Sequence, residues 1–271
     1  MIKLIATDLD GTLLDPAGNL PAGTFETINK LHERGVLFCV ASGRQLVALQ
    51  AMFRPVADKT LFIAENGAIV ARGSEALHIE SLPKEQVLRV LDAVLSVEGA
   101  YPLLCTPQCA YFSEYRQPFV QYVQASYISN KRRDLYETAE HEPVCKVSIY
   151  DERGPETNCL QALPARLSDL RLTLSGGNWL DVSEKTANKG NAMQFIQEKF
   201  ALTSDECAAF GDHMNDCELL CACAHPYLPE NAYPRLKEQF PKAVIVPSNA
   251  ENGVLRALEA IACGKPVPRA R

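Results

Sequence analysis

The chain has 271 residues, 47% hydrophobic and 22% charged, with a net charge of -6 and a pI near 5.5. This is the make-up of a soluble globular protein with one large or two modest domains. The acidity argues against a general nucleic-acid binder, and no apolar run approaches the ~20 residues needed to cross a bilayer. The first residues enter a strand at once, without a signal-peptide pattern, so the expected location is cytoplasmic. The 10 cysteines are then expected to be free buried thiols rather than disulfides. Cys221-Ala222-Cys223 lacks a second pair at zinc spacing.

The first predicted element is a buried strand, Leu4 to Ala6, which leads into Asp8-Leu9-Asp10-Gly11-Thr12. Asp and Gly are ordinary turn residues. Two acids just beyond a strand of an open α/β sheet also suit a hard cation such as Mg²⁺, and a carboxylate can attack phosphorus. A helix is predicted over Pro21–Arg34, with Phe25, Ile28 and Leu31 on one face and Gly35 as its stop. Val36–Val40 is a second buried strand, parallel to the first through a right-handed crossover. Ala41-Ser42-Gly43-Arg44 follows and opens a helix, Gln45–Phe53. Taken alone, Ser42 fits an N-cap better than a phosphate cradle at a helix N-terminus, which the same residues could also form. Leu61–Ala64 is a third strand, ended by Glu65-Asn66-Gly67-Ala68, where Asn66 is either a turn residue or a ligand contact. Ile69–Ile79 reads as a short hairpin leading out of the core.

The texture changes near Leu82. Predicted elements are a helix over Lys84–Val97, short strands over Tyr101–Cys105 and Cys109–Phe112, and a helix around Pro118–Ser126. After a polar stretch, Asn130 to Pro143, come a strand at Val144–Tyr150, a helix at Glu156–Leu167 and a strand at Leu170–Leu174. Asn130-Lys131-Arg132-Arg133-Asp134 is read as a solvated loop. This α+β block has no acidic pair and no phosphate loop, and looks like an inserted second domain.

The core pattern resumes after Trp179-Leu180-Asp181-Val182. Asn188-Lys189-Gly190-Asn191 opens a helix with Ala192, Phe195, Ile196 and Phe200 on its apolar face. A lysine in a helix's first turn opposes the dipole unless an anion faces it. Cys207–Phe210 is another strand, ending in Gly211-Asp212-His213-Met214-Asn215-Asp216, and a helix continues through Leu219 and Leu220. His213 is assigned no chemical role. The remainder is read as two helices around a strand, Ala243–Val246, with Asn231-Ala232 near the site.

In order, Asp8-Leu9-Asp10-Gly11-Thr12, Ser42-Gly43-Arg44, Lys189-Gly190-Asn191-Ala192 and Gly211-Asp212-His213-Met214-Asn215-Asp216 resemble the four motifs of the haloacid dehalogenase-like hydrolases, in their Cof-type form (subfamily IIB). The resemblance implies an α/β fold, a Rossmann-like doubly wound parallel-sheet core over residues 1–81 and 183–271, with an inserted α+β cap domain over 82–182. It implies a phosphatase that hydrolyses small phosphorylated metabolites, such as sugar phosphates or pyridoxal phosphate, with Mg²⁺ as cofactor. Asp8 is then the nucleophile that becomes an aspartyl-phosphate, Asp10 the general acid/base, and Lys189 the group that stabilises charge. Asp8, Asp212 and the Asp10 backbone carbonyl hold the metal. Ser42, Gly43, Lys189 and Asn215 hold the phosphate, and Asp216 orients the loop or Lys189. No nucleic acid or membrane partner is implied, and a monomer or weak homodimer is expected. A phosphomutase or phosphotransferase on the same core, or a non-catalytic metabolite-binding protein, are the alternatives.

Overall fold

The computed structural model describes residues 1–270. It falls into two compact units: residues 1–42, 49–77 and the chain from Asn188 onward form the first, and residues 43–48 and 78–187 the second.

The first unit is built on an eight-stranded sheet. Its order is Val244–Val246, His225–Pro229, Cys207–Phe210, Leu4–Thr7, Leu37–Ala41, Thr60–Ala64, Ile69–Arg72, Glu75–Ile79. The first six strands are parallel, and Ile69–Arg72 runs antiparallel to Thr60–Ala64. Leu4–Thr7 is buried at every position because it lies mid-sheet, between Cys207–Phe210 and Leu37–Ala41. On one face, Leu4, Ala6, Cys39, Leu61 and Ala209 pack against Ala192, Met193 and Ile196 of the helix Lys189–Lys199. The alternate residues, such as Phe38 and Phe62, meet Phe53, which also touches Phe25 of the helix Thr24–Glu33. Strands succeed one another outward in both directions from the pair Leu4–Thr7 and Cys207–Phe210. Such a reversal of strand order opens a crevice at the strands' carboxyl ends, and Asp8 and Asp212 stand there.

The sequence pattern misses His225–Pro229, which lies within the sheet between Cys207–Phe210 and Val244–Val246. Pro226 and Pro229 each remove a ladder donor, so the run does not read as an inner strand. The helix predicted from Pro21 begins at Thr24, after Gly23 at φ 92°. The Ile69–Ile79 hairpin forms the edge of the main sheet, and the chain passes from it into the second unit at His78.

The second unit has a six-stranded sheet in the order Arg171–Leu174, Trp179–Ser183, Lys146–Asp151, Ala100–Cys105, Ala110–Phe112, Asn130–Arg132. One cluster of its core joins Val147, Ile149 and Leu180 to Val90, Leu91 and Val94 of the helix Lys84–Leu95. Another is aromatic, with Tyr101, Phe112, Phe119, Tyr127 and Tyr150. Two expectations fail here. Asn130–Arg132 is an edge strand, parallel to Ala110–Phe112, and not a loop. Asp134 then accepts a hydrogen bond from the Glu137 amide at 2.8 Å and caps a helix, Leu135–His141. Charged side chains suit an exposed edge, which hides such a strand from a hydrophobic pattern. The helix expected over Glu156–Leu167 shrinks to Cys159–Ala162, because Pro164 cannot continue it.

Among the described residues all 10 cysteines are free. Seven are buried, Cys217 is half-buried, and Cys221 and Cys263 are exposed, contrary to a uniformly buried set.

Candidate active site

Asp8 is the first residue past the strand Leu4–Thr7, and its N–H donates to the Phe210 carbonyl at 3.0 Å. The ladder between the two central strands thus fixes the backbone of Asp8 beside the strand that ends at Gly211-Asp212. The chain then turns tightly through Leu9–Leu13, with Gly11 at φ 82°. A side chain at Gly11 would put its Cβ 2.3 Å from Asp212 Oδ2, so glycine alone lets the Asp212 carboxylate approach. Thr12 Oγ1 donates to Asp212 Oδ1 at 2.9 Å.

Lys189 is the first residue of its helix, which is capped by Asn188 accepting from the Asn191 N–H at 2.9 Å. The helix lies against the sheet by Ala192, Met193 and Ile196, and this carries the lysine inward until only 1% of it is exposed. Its ammonium lies 2.6 Å from Asp8 Oδ1 and 2.6 Å from Asp216 Oδ1. Asp216, fully buried, also accepts from the amides of Asp212 and His213 at 3.1 and 3.2 Å through Oδ2. Both its oxygens are therefore engaged by the protein.

Asp8, Asp212 and Asp216 bring one carboxylate oxygen each within 4.8 Å of one another. Lys189 takes one oxygen of Asp8 and Thr12 one of Asp212. The remaining oxygens of Asp8 and Asp212 form a hard donor set of the kind Mg²⁺ takes. The electrostatics fit a cation as well. Burial drives the Asp8 carboxyl well above the carboxylate range; Lys189 opposes this, and Asp216 and Asp212 add to it. Burial and then Asp216 raise Asp212 to about 6. Burial disfavours the charge on Lys189, but Asp216 and Asp8 outweigh it and hold the ammonium above its ordinary range.

The other predicted residues take separate places. Asp10 is exposed, and its carboxylate is outside the trio. Ser42 is buried at the end of the strand Leu37–Ala41; its N–H donates to the Ile63 carbonyl at 2.8 Å and its carbonyl accepts from the Asn66 N–H at 3.0 Å. Gly43 groups with the second unit, where its carbonyl accepts from Lys146 Nζ at 3.1 Å. Asn215 is half-buried in the turn Met214–Asp216.

Thr12 and Asn249, which sequence reasoning passes over, brace this site together with Asn231, which it places nearby. Thr12 holds Asp212, as described above. Asn231 Nδ2 donates to the Gly11 carbonyl at 2.7 Å, while its Oδ1 accepts from the Asn249 N–H at 2.9 Å. Asn249 Nδ2 in turn donates to the Leu14 carbonyl at 3.0 Å. The turn after Asp8 is thereby laced to the C-terminal part of the chain. Asn231 carries only a weak local signal, and Asn249 none.

In the second unit a buried ion pair joins Lys146 Nζ to Asp181 Oδ2 at 2.9 Å. Asp181 also accepts from Ser175 Oγ at 2.6 Å and from Ser148 Oγ, and Tyr127 Oη donates to Ser148 Oγ at 2.8 Å.

Known proteins resemble this chain along most of its length. HMP-PP phosphatase of Cronobacter sakazakii is 28% identical over 255 residues, covering 91% of this chain and 90% of that protein. HMP-PP phosphatase of Escherichia coli K12 is 26% identical over 250 residues, covering 91% and 90%. The crystal structure of SMU.1108c from Streptococcus mutans UA159 superposes with a TM-score of 0.86 at 25% identity, over 97% of this chain and 100% of that one. A sequence model of the haloacid dehalogenase-like hydrolases matches residues 5–258. With that match spanning nearly the whole chain, and an acidic cluster with its buried lysine at the switch point of a doubly wound sheet, the protein belongs to the haloacid dehalogenase-like hydrolases.

Proposed function

We propose that the protein is a Mg²⁺-dependent phosphatase of small phosphorylated metabolites, working through an aspartyl-phosphate on Asp8. The observation that carries this reading is the buried Lys189 ammonium held between Asp8 and Asp216, with Asp212 beside them. Asp8 acts as nucleophile through the oxygen that does not meet Lys189, while a cation offsets its repulsion of an anionic phosphate.

In the first step an Asp8 oxygen attacks phosphorus in line. The Asp8 O–P bond forms, the bond to the leaving oxygen breaks, and Asp10 gives that oxygen its proton. In the second step Asp10 takes a proton from water, which attacks the same phosphorus and frees Asp8 with release of inorganic phosphate. Ser42, Gly43 and Asn215 bind the phosphate oxygens. Lys189 balances charge on Asp8 and the phosphoryl group, and Asp216 keeps Lys189 aimed. Asp8, Asp212 and the Asp10 carbonyl would hold Mg²⁺, which would supply charge neutralisation to the transferring group. Exposure of Asp10 suits a group that must meet both the leaving group and water.

The relatives' names supply one candidate substrate, HMP-PP. Sugar phosphates and pyridoxal phosphate complete the panel. The test is phosphate release across that panel with Mg²⁺ and with EDTA, wild type beside Asp8→Asn. Release that needs both Mg²⁺ and Asp8 supports the reading. Release unaffected by either refutes it.

A further inference from the structure

The turn Glu65-Asn66-Gly67 takes no part in the chemistry above, yet its backbone is unusual. Glu65 and Asn66 are successive non-glycine residues at φ 51° and 58°, followed by Gly67 at φ 109°. Left-handed backbone is unfavourable for L residues, more so for Glu than for Asn, and persists where the surroundings dictate it.

The surroundings are two pieces of the candidate site. On one side, the Ser42 N–H ends on the Ile63 carbonyl, in the strand just before this turn, and the Ser42 carbonyl on the Asn66 N–H within it. The sharp reversal at Glu65 and Asn66 is what brings the second of these back to Ser42. On the other side, a Cβ at Gly67 would lie 2.3 Å from the carbonyl carbon and oxygen of Asn188 and 2.8 Å from Lys189 N. That is backbone against backbone, with no flexible side chain to yield. Glu65 and Gly67 are both buried. One three-residue turn thus presses on the first peptide of the Lys189 helix while holding the carbonyl of Ser42.

We propose that Glu65–Gly67 is a positioning element: a backbone brace that sets the spacing between Ser42 and Lys189. Asn66 acts in it through its N–H and its tolerance of positive φ, not by reading a substrate. The spacing matters because the Lys189 ammonium makes two contacts of 2.6 Å, which a small shift of its helix start would unbalance. The kinetic part of this proposal rests on the phosphatase reading; the structural part does not.

The test uses the full-length protein and three variants. Asn66→Gly keeps the N–H and the backbone path, so kcat should stay within about threefold of wild type. Gly67→Ala pushes on Asn188, so kcat should fall about 10- to 100-fold with a smaller change in KM. Amide hydrogen exchange, which needs no activity, should quicken at Asn66 and Ala192 in Gly67→Ala and not in Asn66→Gly. Should Gly67→Ala fail to fold, Asn66→Val strains the same turn from its other end, because a β-branched residue disfavours φ 58°, and the same readings apply. A folded Gly67→Ala or Asn66→Val with wild-type kcat and exchange overturns the brace. So does an Asn66→Gly that loses kcat with exchange unchanged, since that assigns the role to the side chain. If wild type releases no phosphate from any substrate, the phosphatase reading fails, and the exchange data alone decide the brace.

Discussion

Lys189 and Asp216 form an ion pair at 2.6 Å in which neither partner reaches solvent. Such a pair adds little net stability, since desolvation offsets the attraction, but removing one partner leaves a buried charge. Asp216→Ala should therefore cost about 3–5 kcal/mol of unfolding free energy, measured by urea denaturation. Asp216→Asn keeps hydrogen-bonding atoms and should cost less. Both should lower kcat, because Asp216 is one of the two carboxylates that hold the Lys189 ammonium at 2.6 Å.

Asp8→Asn should separate chemistry from folding. Turnover should be lost, while the variant without metal stays as stable as wild type or becomes more stable at neutral pH, because burial raises the Asp8 carboxyl and the substitution removes its charge. A thermal melt beside the phosphate assay checks both. Retained turnover would rule out Asp8 as nucleophile.

Stability without metal should fall as pH rises. Asp212 lies at about 6 in the folded protein against 3.8 for an unperturbed group. Between those values the folded state binds more protons than the unfolded one, so unfolding free energy drops with pH. The loss is complete above about pH 6 and amounts to roughly 3 kcal/mol from this group. Mg²⁺ should restore it by pairing the carboxylate, so the Mg²⁺-induced rise in Tm should be larger at pH 7.5 than at pH 5. Calorimetry at both pH values with and without Mg²⁺ tests this; an equal rise would detach Asp212 from the cation.

Thr12→Val removes the 2.9 Å hydrogen bond that orients Asp212. Groups that aim a metal ligand typically matter 10- to 100-fold. The half-saturating Mg²⁺ concentration should rise by about that factor while kcat at saturating Mg²⁺ changes less. A Mg²⁺ titration of activity gives the answer.

In the second unit, Lys146→Met leaves Asp181 buried with the hydroxyls of Ser148 and Ser175. The cost should be about 3–5 kcal/mol. Lys146→Met with Asp181→Leu should recover much of it, since apolar groups of similar size replace such pairs well. A double-mutant cycle by denaturation measures the difference.

The parts of the fold legible in the sequence are those whose burial is continuous. Leu4–Thr7, Thr60–Ala64 and Cys207–Phe210 are apolar throughout or nearly so, and each announces a polar turn at its carboxyl end. Elements at edges, or containing proline, are not legible. His225–Pro229 keeps its place by pairing on both sides despite two prolines, and Asn130–Arg132 is a strand only because Ala110–Phe112 lies next to it. In the site, the acids and Lys189 stand in recognisable local patterns. Thr12 follows Gly11 in the first of them, but its partner is 200 residues away. Asn249 takes part through tertiary hydrogen bonds alone, and no local pattern records those.

The pairing of Leu4–Thr7 with Cys207–Phe210 also governs when the site can exist. A ribosome delivers Asp8 first and Asp212 more than two hundred residues later. Until then the N-terminal strand has Leu37–Ala41 on one side and a bare row of backbone donors and acceptors on the other. A nascent chain in that state cannot assemble the acidic cluster, and offers an apolar edge to any strand that meets it. Biosynthesis of this protein therefore carries a long interval of exposure, which the arrival of Cys207–Phe210 brings to an end.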